Sequence, residues 1–322
     1  MSQTQSEKTS NSRRSYLGSL KSLDTEESID LAFYRPVGYA WARLAERLGV
    51  TPNVITVASI FLGIGAGIAF YPDKLWINII GMLLLVWANS FDSADGQLAR
   101  MTGQYSRLGR ILDGVSGDIW FITIYIAICL RENHYGTYFS EHPWLIWVIA
   151  AVAGYCHARQ AAMADYYRQF HLYFLKGADG SELDTAASVR DRRARLSRRG
   201  NFMQRVILAF YMSYTAGQEA ATPAMQALRD ELARRFPDGN IPAAFRSDFR
   251  RQSLPLMKYT NILTFNWRTI ALFASLFAGQ PWLYFVFELT VLNILLIYMV
   301  IRHERMCRRL TADLRQGRYE QS

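Results

Sequence analysis

Long apolar segments alternate with polar connections through most of this chain. Each segment extends over roughly 18–25 residues, the length that an α-helix needs to cross the hydrocarbon core of a bilayer. The pattern therefore predicts an all-α polytopic membrane protein with six transmembrane helices, and it disfavours a soluble protein with several core helices. The predicted spans are approximately 54–71, 75–100, 108–130, 143–166, 254–277 and 281–301.

The segments outside these spans are too polar or too short to cross a membrane. Residues 27–48 mix aromatic side chains with arginines, which favours an amphipathic helix lying in the membrane interface, or a helix packed on the protein's cytoplasmic face. Residues 167–252 are predicted to form a cytoplasmic excursion with one or two interfacial helices, because their apolar run 206–214 is short. The predicted regions are a tail and interfacial helix (1–50), a six-span domain (51–301) and a basic cytoplasmic tail (302–322).

The basic residues indicate which side of the membrane each loop occupies. The short loops on one side hold only Lys74 and Arg131, whereas the tails, the 100–110 turn and the 167–252 excursion hold nearly all the rest. The positive-inside rule then places both termini on the cytoplasmic face of the cell's inner membrane. The formal charge of +9, clustered in a few loops, suggests contact with lipid headgroups rather than nucleic acid.

Two further features limit the class of protein. Residues 1–30 lack the apolar segment of a cleavable signal peptide, so the first span is expected to direct its own insertion. The cysteines, Cys129, Cys156 and Cys307, lie in or beside predicted spans without C-x-x-C spacing, which argues against a disulfide framework or a zinc site.

Four aspartates lie where the apolar spans meet the predicted cytoplasmic face. Asp92 and Asp95 are three residues apart and share a helix face, and Asp113 and Asp118 follow on the next helix. Neighbouring carboxylates repel each other unless a proton or cation lies between them, and Mg²⁺ or Mn²⁺ prefers oxygen ligands. Nearby arginines suit phosphate groups. A site for a metal-bound diphosphate is therefore predicted, although the aspartates could instead cap helices or pair with arginines.

The residues from Asp92 to Asp113 follow the pattern D-x2-D-G-x2-A-R-x8-G-x3-D. This pattern resembles the signature of the CDP-alcohol phosphotransferase family. The start of the first span, Thr51-Pro52-Asn53-x2-Thr56, is also similar to the family. The resemblance covers the layout of all six spans but extends in detail only over residues 51–118, and the 167–252 excursion has no counterpart in it.

The resemblance implies a six-helix enzyme, usually a homodimer, with a polar cavity that opens to the cytoplasm. Such enzymes pass a phosphoalcohol from a CDP-linked alcohol to a hydroxyl acceptor and release CMP, using two divalent ions, Mg²⁺ or Mn²⁺. It further implies that Asp92, Asp95 and Asp113 bind metal. The implied nucleotide-binding residues are Asn53, Thr56, Gly96, Arg100 and Ser106.

One position departs from the family pattern. The family's last aspartate, a metal ligand and the general base, falls four residues after Asp113, where this chain has Gly117 and places its carboxylate at Asp118. On a regular helix a five-residue step turns the side chain by about 140°, so Asp118 is expected to serve as base and ligand only if the helix bulges near Gly114 and Gly117. Otherwise the base comes from elsewhere or activity is lost.

Several alternatives remain open from the sequence. Within the family, CDP-diacylglycerol could donate to a small alcohol, or CDP-ethanolamine or CDP-choline could donate to a lipid. Outside it, the aspartates could belong to a transporter or to a non-catalytic lipid-binding scaffold. Arg110, Lys258 and Arg268 are candidate cavity residues, and His157 is a weaker one, because charged groups in spans are costly unless they have a function.

Overall fold

The computed structural model describes residues 15–20, 22, 24–135, 138–176, 183–197 and 201–319. Within these residues the regular secondary structure is helical throughout, which confirms the predicted all-α class. Short π-helical turns at Asp30–Tyr34 and Glu288–Leu292 lead directly into longer helices. The helices are α1 (Arg35–Leu48), α2 (Pro52–Phe70), α3 (Leu75–Thr102), α4 (Arg107–Tyr135), α5 (Pro143–Lys176), α6 (Ala186–Arg195), α7 (Phe202–Ala221), α8 (Pro223–Arg235), α9 (Ala243–Ile262), α10 (Phe265–Phe277), α11 (Leu283–Phe287) and α12 (Asn293–Arg315).

Four described segments are long and apolar enough to cross a membrane: Pro52–Phe70, Leu75–Thr102, Leu112–Tyr135 and Leu283–Arg315. They coincide with the first, second, third and sixth predicted spans. The fourth predicted span lies within α5, whose polar second half lowers its hydropathy. The fifth is divided between α9 and α10, which are separated at residues 263–264.

The chain divides into two compact units, one made of Met1–Tyr155 with Arg268–Phe287 and the other of Cys156–Trp267 with Glu288–Ser322. In the first unit, α2 packs closely against α4 through glycine. A Cβ atom at Gly63 would overlap the indole of the buried Trp120, and one at Gly67 would lie 2.6 Å from Thr123 Cγ2. Small residues on α2 therefore let the two helices approach closely.

Helix α1 covers the end of α3 that carries the aspartates. Its small side chains Ala42 and Ala45 are buried against Ala94 and Leu98 of α3. On the opposite face Leu44 and Leu48 are exposed. The amphipathic helix predicted over 27–48 thus has one face packed on the protein and apolar side chains on its outer face.

In the second unit, the 167–252 segment is largely helical. Helix α5 continues to Lys176, α6 to α8 follow, and α9 begins at Ala243. The α8 N-terminus is held by the buried Glu304 of α12, whose carboxylate accepts hydrogen bonds from the backbone amides of Ala224 (2.8 Å) and Met225 (3.2 Å). Most of the basic residues of the predicted tail over 302–322 lie on this long helix, which extends to Arg315.

Candidate metal centre

The centre is built where α2, α3 and α4 meet in the first unit. Helix α2 begins at Pro52, whose fixed φ suits a first helical turn, and one turn later it presents Thr56 toward α3. The Thr56 hydroxyl, which is 2% exposed, donates a hydrogen bond to Asp95 Oδ2. Asp95 itself is only 3% exposed. A carboxylate buried this deeply needs compensating polar partners, and Thr56 supplies one.

Asp92, Asp95 and Asp113 converge from two helices. Each offers one carboxylate oxygen, and these three oxygens lie within 4.8 Å of one another. Asp95 is buried, Asp92 is partly buried and Asp113 is exposed, so the cluster opens toward solvent on the α4 side. Their convergence is the arrangement that the sequence spacing predicted.

The cluster fits a hard divalent cation. Oxygen ligands lie about 2.0–2.1 Å from Mg²⁺ and about 2.3–2.6 Å from Ca²⁺, so two ligands of one ion are at most about 4.2 Å apart around Mg²⁺ and about 5 Å apart around Ca²⁺. The three aspartate oxygens, within 4.8 Å of one another, meet the wider limit and would close in slightly around Mg²⁺ or Mn²⁺. Three carboxylates so close together repel one another, and a cation between them relieves that repulsion.

Ser116 is a member of the site that the sequence reasoning missed. Its hydroxyl donates to Asp92 Oδ1 at 2.8 Å, bridging α4 and α3, and the side chain is 2% exposed. The signal was available, since Ser116 lies three residues after Asp113 and so shares its helix face. Ser116 holds Asp92 toward the cluster much as Thr56 holds Asp95.

A second polar group lies at the start of α4. Ser106 donates to Asn53 Oδ1 at 2.9 Å and accepts the backbone N–H of Gly109 at 2.8 Å. A Cβ atom at Gly109 would overlap Asn53 Oδ1, so a larger residue there would displace the Asn53 side chain. The structure therefore brings the predicted residues Asn53 and Ser106 together with the motif glycine.

Residues 49–171 match the family described as CDP-alcohol phosphatidyltransferase. This matched region is called the phosphatidyltransferase domain below, after the family that it resembles. The phosphatidyltransferase domain contains all three clustered aspartates, Asn53, Thr56, Ser106 and Ser116.

Curated relatives resemble the same domain. The chain is 35% identical over 91 residues to an archaetidylinositol phosphate synthase of Aeropyrum pernix, covering 27% of this chain and 45% of that protein. It is 29% identical over 96 residues to a CDP-diacylglycerol–glycerol-3-phosphate 3-phosphatidyltransferase of Cereibacter sphaeroides, covering 30% and 40% of the two chains. An archaetidylinositol phosphate synthase of Pyrococcus horikoshii is 32% identical over 83 residues, covering 26% and 43%. The chain thus spans less than half the length of these relatives, and no solved structure matches it.

Asp118 is not part of the aspartate cluster of the phosphatidyltransferase domain. The backbone of α4 is α-helical throughout Arg107–Tyr135, without the bulge that would bring Asp118 onto the face of Asp113. A five-residue step on such a helix places the two carboxylates about 140° apart. The Asp118 side chain is exposed.

Arg100, expected at the nucleotide, contacts the N-terminal segment. Its Nε donates to the backbone carbonyl of Ser19. The Ser19 hydroxyl in turn lies 3.1 Å from Gln97 Oε1, and Gln97 Nε2 donates to the Arg35 carbonyl at 3.0 Å. Residues before the phosphatidyltransferase domain therefore cover the polar end of α3. A Cβ atom at Gly96 would make only an ordinary contact, 3.4 Å from the Arg100 guanidinium.

The candidate cavity residues are spread over the molecule. The Arg110 side chain is outside the part of the chain that the structure describes. Arg268 is buried in the first unit at 1% exposure. Lys258 belongs to the second unit, where it is exposed and its ammonium lies 4.8 Å from the Tyr259 ring centroid. His157, also in the second unit, pairs with the buried Glu288 at 3.0 Å.

Proposed function

We propose that this chain is a membrane enzyme that transfers a phosphoalcohol group from a CDP-linked alcohol to a hydroxyl acceptor and releases CMP. The observation that supports this most strongly is the convergence of Asp92, Asp95 and Asp113 within 4.8 Å, inside the domain that matches the family. The reaction would serve the synthesis of lipid headgroups.

The three aspartates would hold divalent cations, Mg²⁺ or Mn²⁺, with two ions per site. When bound, such ions supply positive charge that neutralises a diphosphate and the leaving oxygen of CMP. Thr56 and Ser116 would orient Asp95 and Asp92 through their hydroxyl groups. The exposed Asp113 side of the cluster gives the donor an approach path.

The nucleotide would lie beside the same helices, in contact with Asn53, Thr56, Gly96, Arg100 and Ser106. Asn53 and Ser106 already form a hydrogen-bonded pair at the start of α2 and α4. For Arg100 to bind a phosphate through its Nε, it would exchange its bond to the Ser19 carbonyl for one to the donor. Arg110, Lys258 and Arg268 are proposed to line the acceptor side.

Asp118 is proposed as the base that takes the acceptor's hydroxyl proton and as a further metal ligand. It is the nearest carboxylate to the family position occupied here by Gly117. Reaching the cluster requires a local change in α4 when substrates bind. Gly114 and Gly117, which meet nothing within 4 Å on this side of the helix, leave space for such a change.

For the substrates, we propose CDP-diacylglycerol as donor and a phosphorylated small alcohol as acceptor. The support is that one relative is named for CDP-diacylglycerol and glycerol 3-phosphate, and two are named archaetidylinositol phosphate synthases. All three names are of proteins that this chain matches only in part.

We further propose a homodimer in the cell's inner membrane, with six crossings and with both termini and the aspartates on the cytoplasmic side. The four apolar segments would be joined by the first half of α5 and by α9 with α10 as the fourth and fifth crossings. The exposed apolar face of α1 would lie in the interface.

The deciding experiment measures CMP release by the purified chain in lipid nanodiscs. CDP-diacylglycerol with glycerol 3-phosphate or inositol phosphate is compared with CDP-ethanolamine and diacylglycerol, each in Mg²⁺, in Mn²⁺ and in chelator. We expect metal-dependent CMP release with the first donor only, and loss of more than about a hundredfold in Asp95→Asn. Asp191→Asn, which changes an exposed aspartate of α6, is the matched control. Absence of CMP with every donor would overturn the proposal.

A further inference from the structure

A basic groove of about 470 Å³ lies between α9 and α12 in the second unit. Four exposed arginines line it, Arg251 from α9 and Arg302, Arg305 and Arg309 from α12, while Leu256 and Met306 form an apolar floor. The two helices pack together at one end of the groove, where Tyr259 and Tyr298 have ring centroids 5.2 Å apart. The groove combines several cationic side chains with buried apolar surface.

The positive charge in the groove is only partly neutralised. Arg251 pairs with Asp248 at 2.5 Å, and Arg302 donates to the Tyr298 hydroxyl at 2.6 Å. Partial burial opposes ionisation of Asp248, but hydrogen bonds from Tyr319, Gln252 and Arg251 hold its pKa below the ordinary value, so it stays charged at neutral pH. Among the residues that the structure describes, no carboxylate pairs with Arg305 or Arg309. These two arginines are available to an anion.

The same helix carries an exposed apolar surface directly before the arginines. Ile294, Ile297 and Ile301 are 68%, 59% and 43% exposed, and they follow one another at three- and four-residue spacing toward Arg305. They belong to the segment Leu283–Arg315, whose most apolar window has a mean hydropathy of 2.1 and is only 28% buried. Tyr298 and Arg302 lie at the end of this apolar surface, as aromatic and basic side chains do at a membrane interface.

We propose that this groove binds the phosphate headgroup of an anionic glycerophospholipid, whose acyl chains lie along Ile294, Ile297 and Ile301. A bilayer lipid presents an anionic phosphate at the depth of Arg302–Arg309 and hydrocarbon at the depth of the isoleucines, so one molecule satisfies both surfaces. Arginine forms bidentate hydrogen bonds with the lipid phosphate. A zwitterionic headgroup has the same phosphate, but the cluster of arginines repels its ammonium, so an anionic lipid is favoured. The site is independent of the aspartate cluster and of the proposed reaction.

The test measures lipid retention on the full chain. Protein is reconstituted in nanodiscs of phosphatidylcholine with a fixed fraction of phosphatidylglycerol, and lipids that stay bound on release are counted by native mass spectrometry. The double variant R305Q/R309Q is compared with R308Q/R315Q, which removes the same charge from a different groove on the same helix. Losing a direct hydrogen bond to a charged phosphate lowers affinity about tenfold, so we expect R305Q/R309Q to lose about a hundredfold in phosphatidylglycerol retention.

Retention within about threefold of wild type in R308Q/R315Q, with both variants keeping the wild-type melting temperature, supports the assignment. Equal losses of phosphatidylglycerol retention in the two double variants would show a diffuse charge effect and overturn the assignment. Unchanged retention in R305Q/R309Q would overturn it as well. A third arm adds excess glycerol 3-phosphate. Displacement of the lipid by this soluble phosphate would mean that the groove recognises a free phosphoryl group, which contradicts a membrane-lipid occupant.

Discussion

The three clustered aspartates occupy different environments, and each is held in its own way. Asp95 is buried against Thr56, Asp92 is fixed by Ser116, and Asp113 is exposed. A buried carboxylate depends strongly on its few hydrogen-bond donors for its orientation. The two hydroxyl residues are therefore expected to control how well the cluster binds a cation.

Replacing Thr56 with valine tests this dependence at Asp95. The substitution keeps the shape of the side chain but removes the hydrogen bond, so we expect Mn²⁺ affinity to fall about 10- to 100-fold, as is typical for groups that orient metal ligands. Titration calorimetry of the metal-free protein with Mn²⁺ measures this affinity. Ser59→Ala removes another buried hydroxyl of α2, one that bonds only within its own helix at 2.7 Å, and should leave the affinity unchanged. Equal Mn²⁺ binding by wild type and Thr56→Val would contradict this role.

The out-of-register carboxylate allows a sharper test. Gly117 lies one helical turn after Asp113, and a Cβ atom there would meet nothing within 4 Å, so an aspartate fits at this position. If Asp118 supplies the base, Asp118→Asn should reduce kcat at least about a hundredfold. Gly117→Asp in the same chain should then recover most of that loss, because it restores a carboxylate on the Asp113 face.

A second variant in the Asp118→Asn background is Gly114→Asp. Position 114 also has open space and lies one turn before Asp118 on the same helix face, so recovery here, compared with that of Gly117→Asp, shows which face of α4 supplies the carboxylate. The measurement is CMP release under saturating substrate. Near-normal turnover in Asp118→Asn alone would rule out Asp118 as the base.

At the scale of elements, α2 owes its position to glycines whose roles differ. Gly63 lies against Trp120, which is 2% exposed, whereas Gly65 has only an ordinary contact, 3.5 Å from Leu84 Cδ1. Substitution of Gly63 therefore tests the packing of α2 against its neighbour, whereas substitution of Gly65 tests the helix propensity of the residue.

We expect Gly63→Ala to destabilise the protein by about 1–3 kcal/mol, because the added methyl group pushes the Trp120 ring away from α2. Gly65→Ala should be neutral or stabilising by up to about 1 kcal/mol, since alanine favours helix and meets no close neighbour. Thermal unfolding in detergent compares the melting temperatures of the two variants. Similar melting temperatures for both variants would mean that α2 and α4 are not in close contact.

The turn between α2 and α3 depends on a buried cation. Arg131 of α4 is 4% exposed and donates hydrogen bonds to the backbone carbonyls of Phe70 (3.2 Å) and Pro72 (3.3 Å). It also donates to Asn78 Oδ1 (2.8 Å) and forms an ion pair with Asp73 at 2.5 Å. Arg131→Met should cost about 2–4 kcal/mol because these acceptors lose their donor. Arg43→Met, which breaks a partly exposed pair with Glu46, should cost under about 1 kcal/mol. Denaturant titration measures the free energy of unfolding of both variants.

At the scale of the whole molecule, the sequence predicted what periodicity and spacing encode. Helical class followed from the apolar segments, and the meeting of Asp92, Asp95 and Asp113 followed from their spacing on adjacent helices. The bond from Arg100 to the Ser19 carbonyl could not be predicted, because it joins positions 81 residues apart through a backbone acceptor that any residue could supply. The separation of α9 from α10 and the extension of α12 to Arg315 were missed because hydropathy alone does not determine where a helix ends.

The number of crossings has a consequence for the second unit that can be measured. If only the four most apolar segments cross, everything between α4 and α11 lies on the outer side, including the arginine-rich 167–252 segment. That placement opposes the positive-inside rule, whereas six crossings return this segment to the cytoplasm. Asp238 is exposed between α8 and α9, so the side of the membrane on which it lies distinguishes four crossings from six.

We expect a cysteine at position 238, in a chain whose native cysteines are replaced by alanine, to resist a membrane-impermeant maleimide in intact cells and to react after permeabilisation. A cysteine at Glu141 should react in intact cells, and one at Gln104 should not, because both topologies place these two exposed positions on the same sides. Labelling of position 238 in intact cells would establish four crossings.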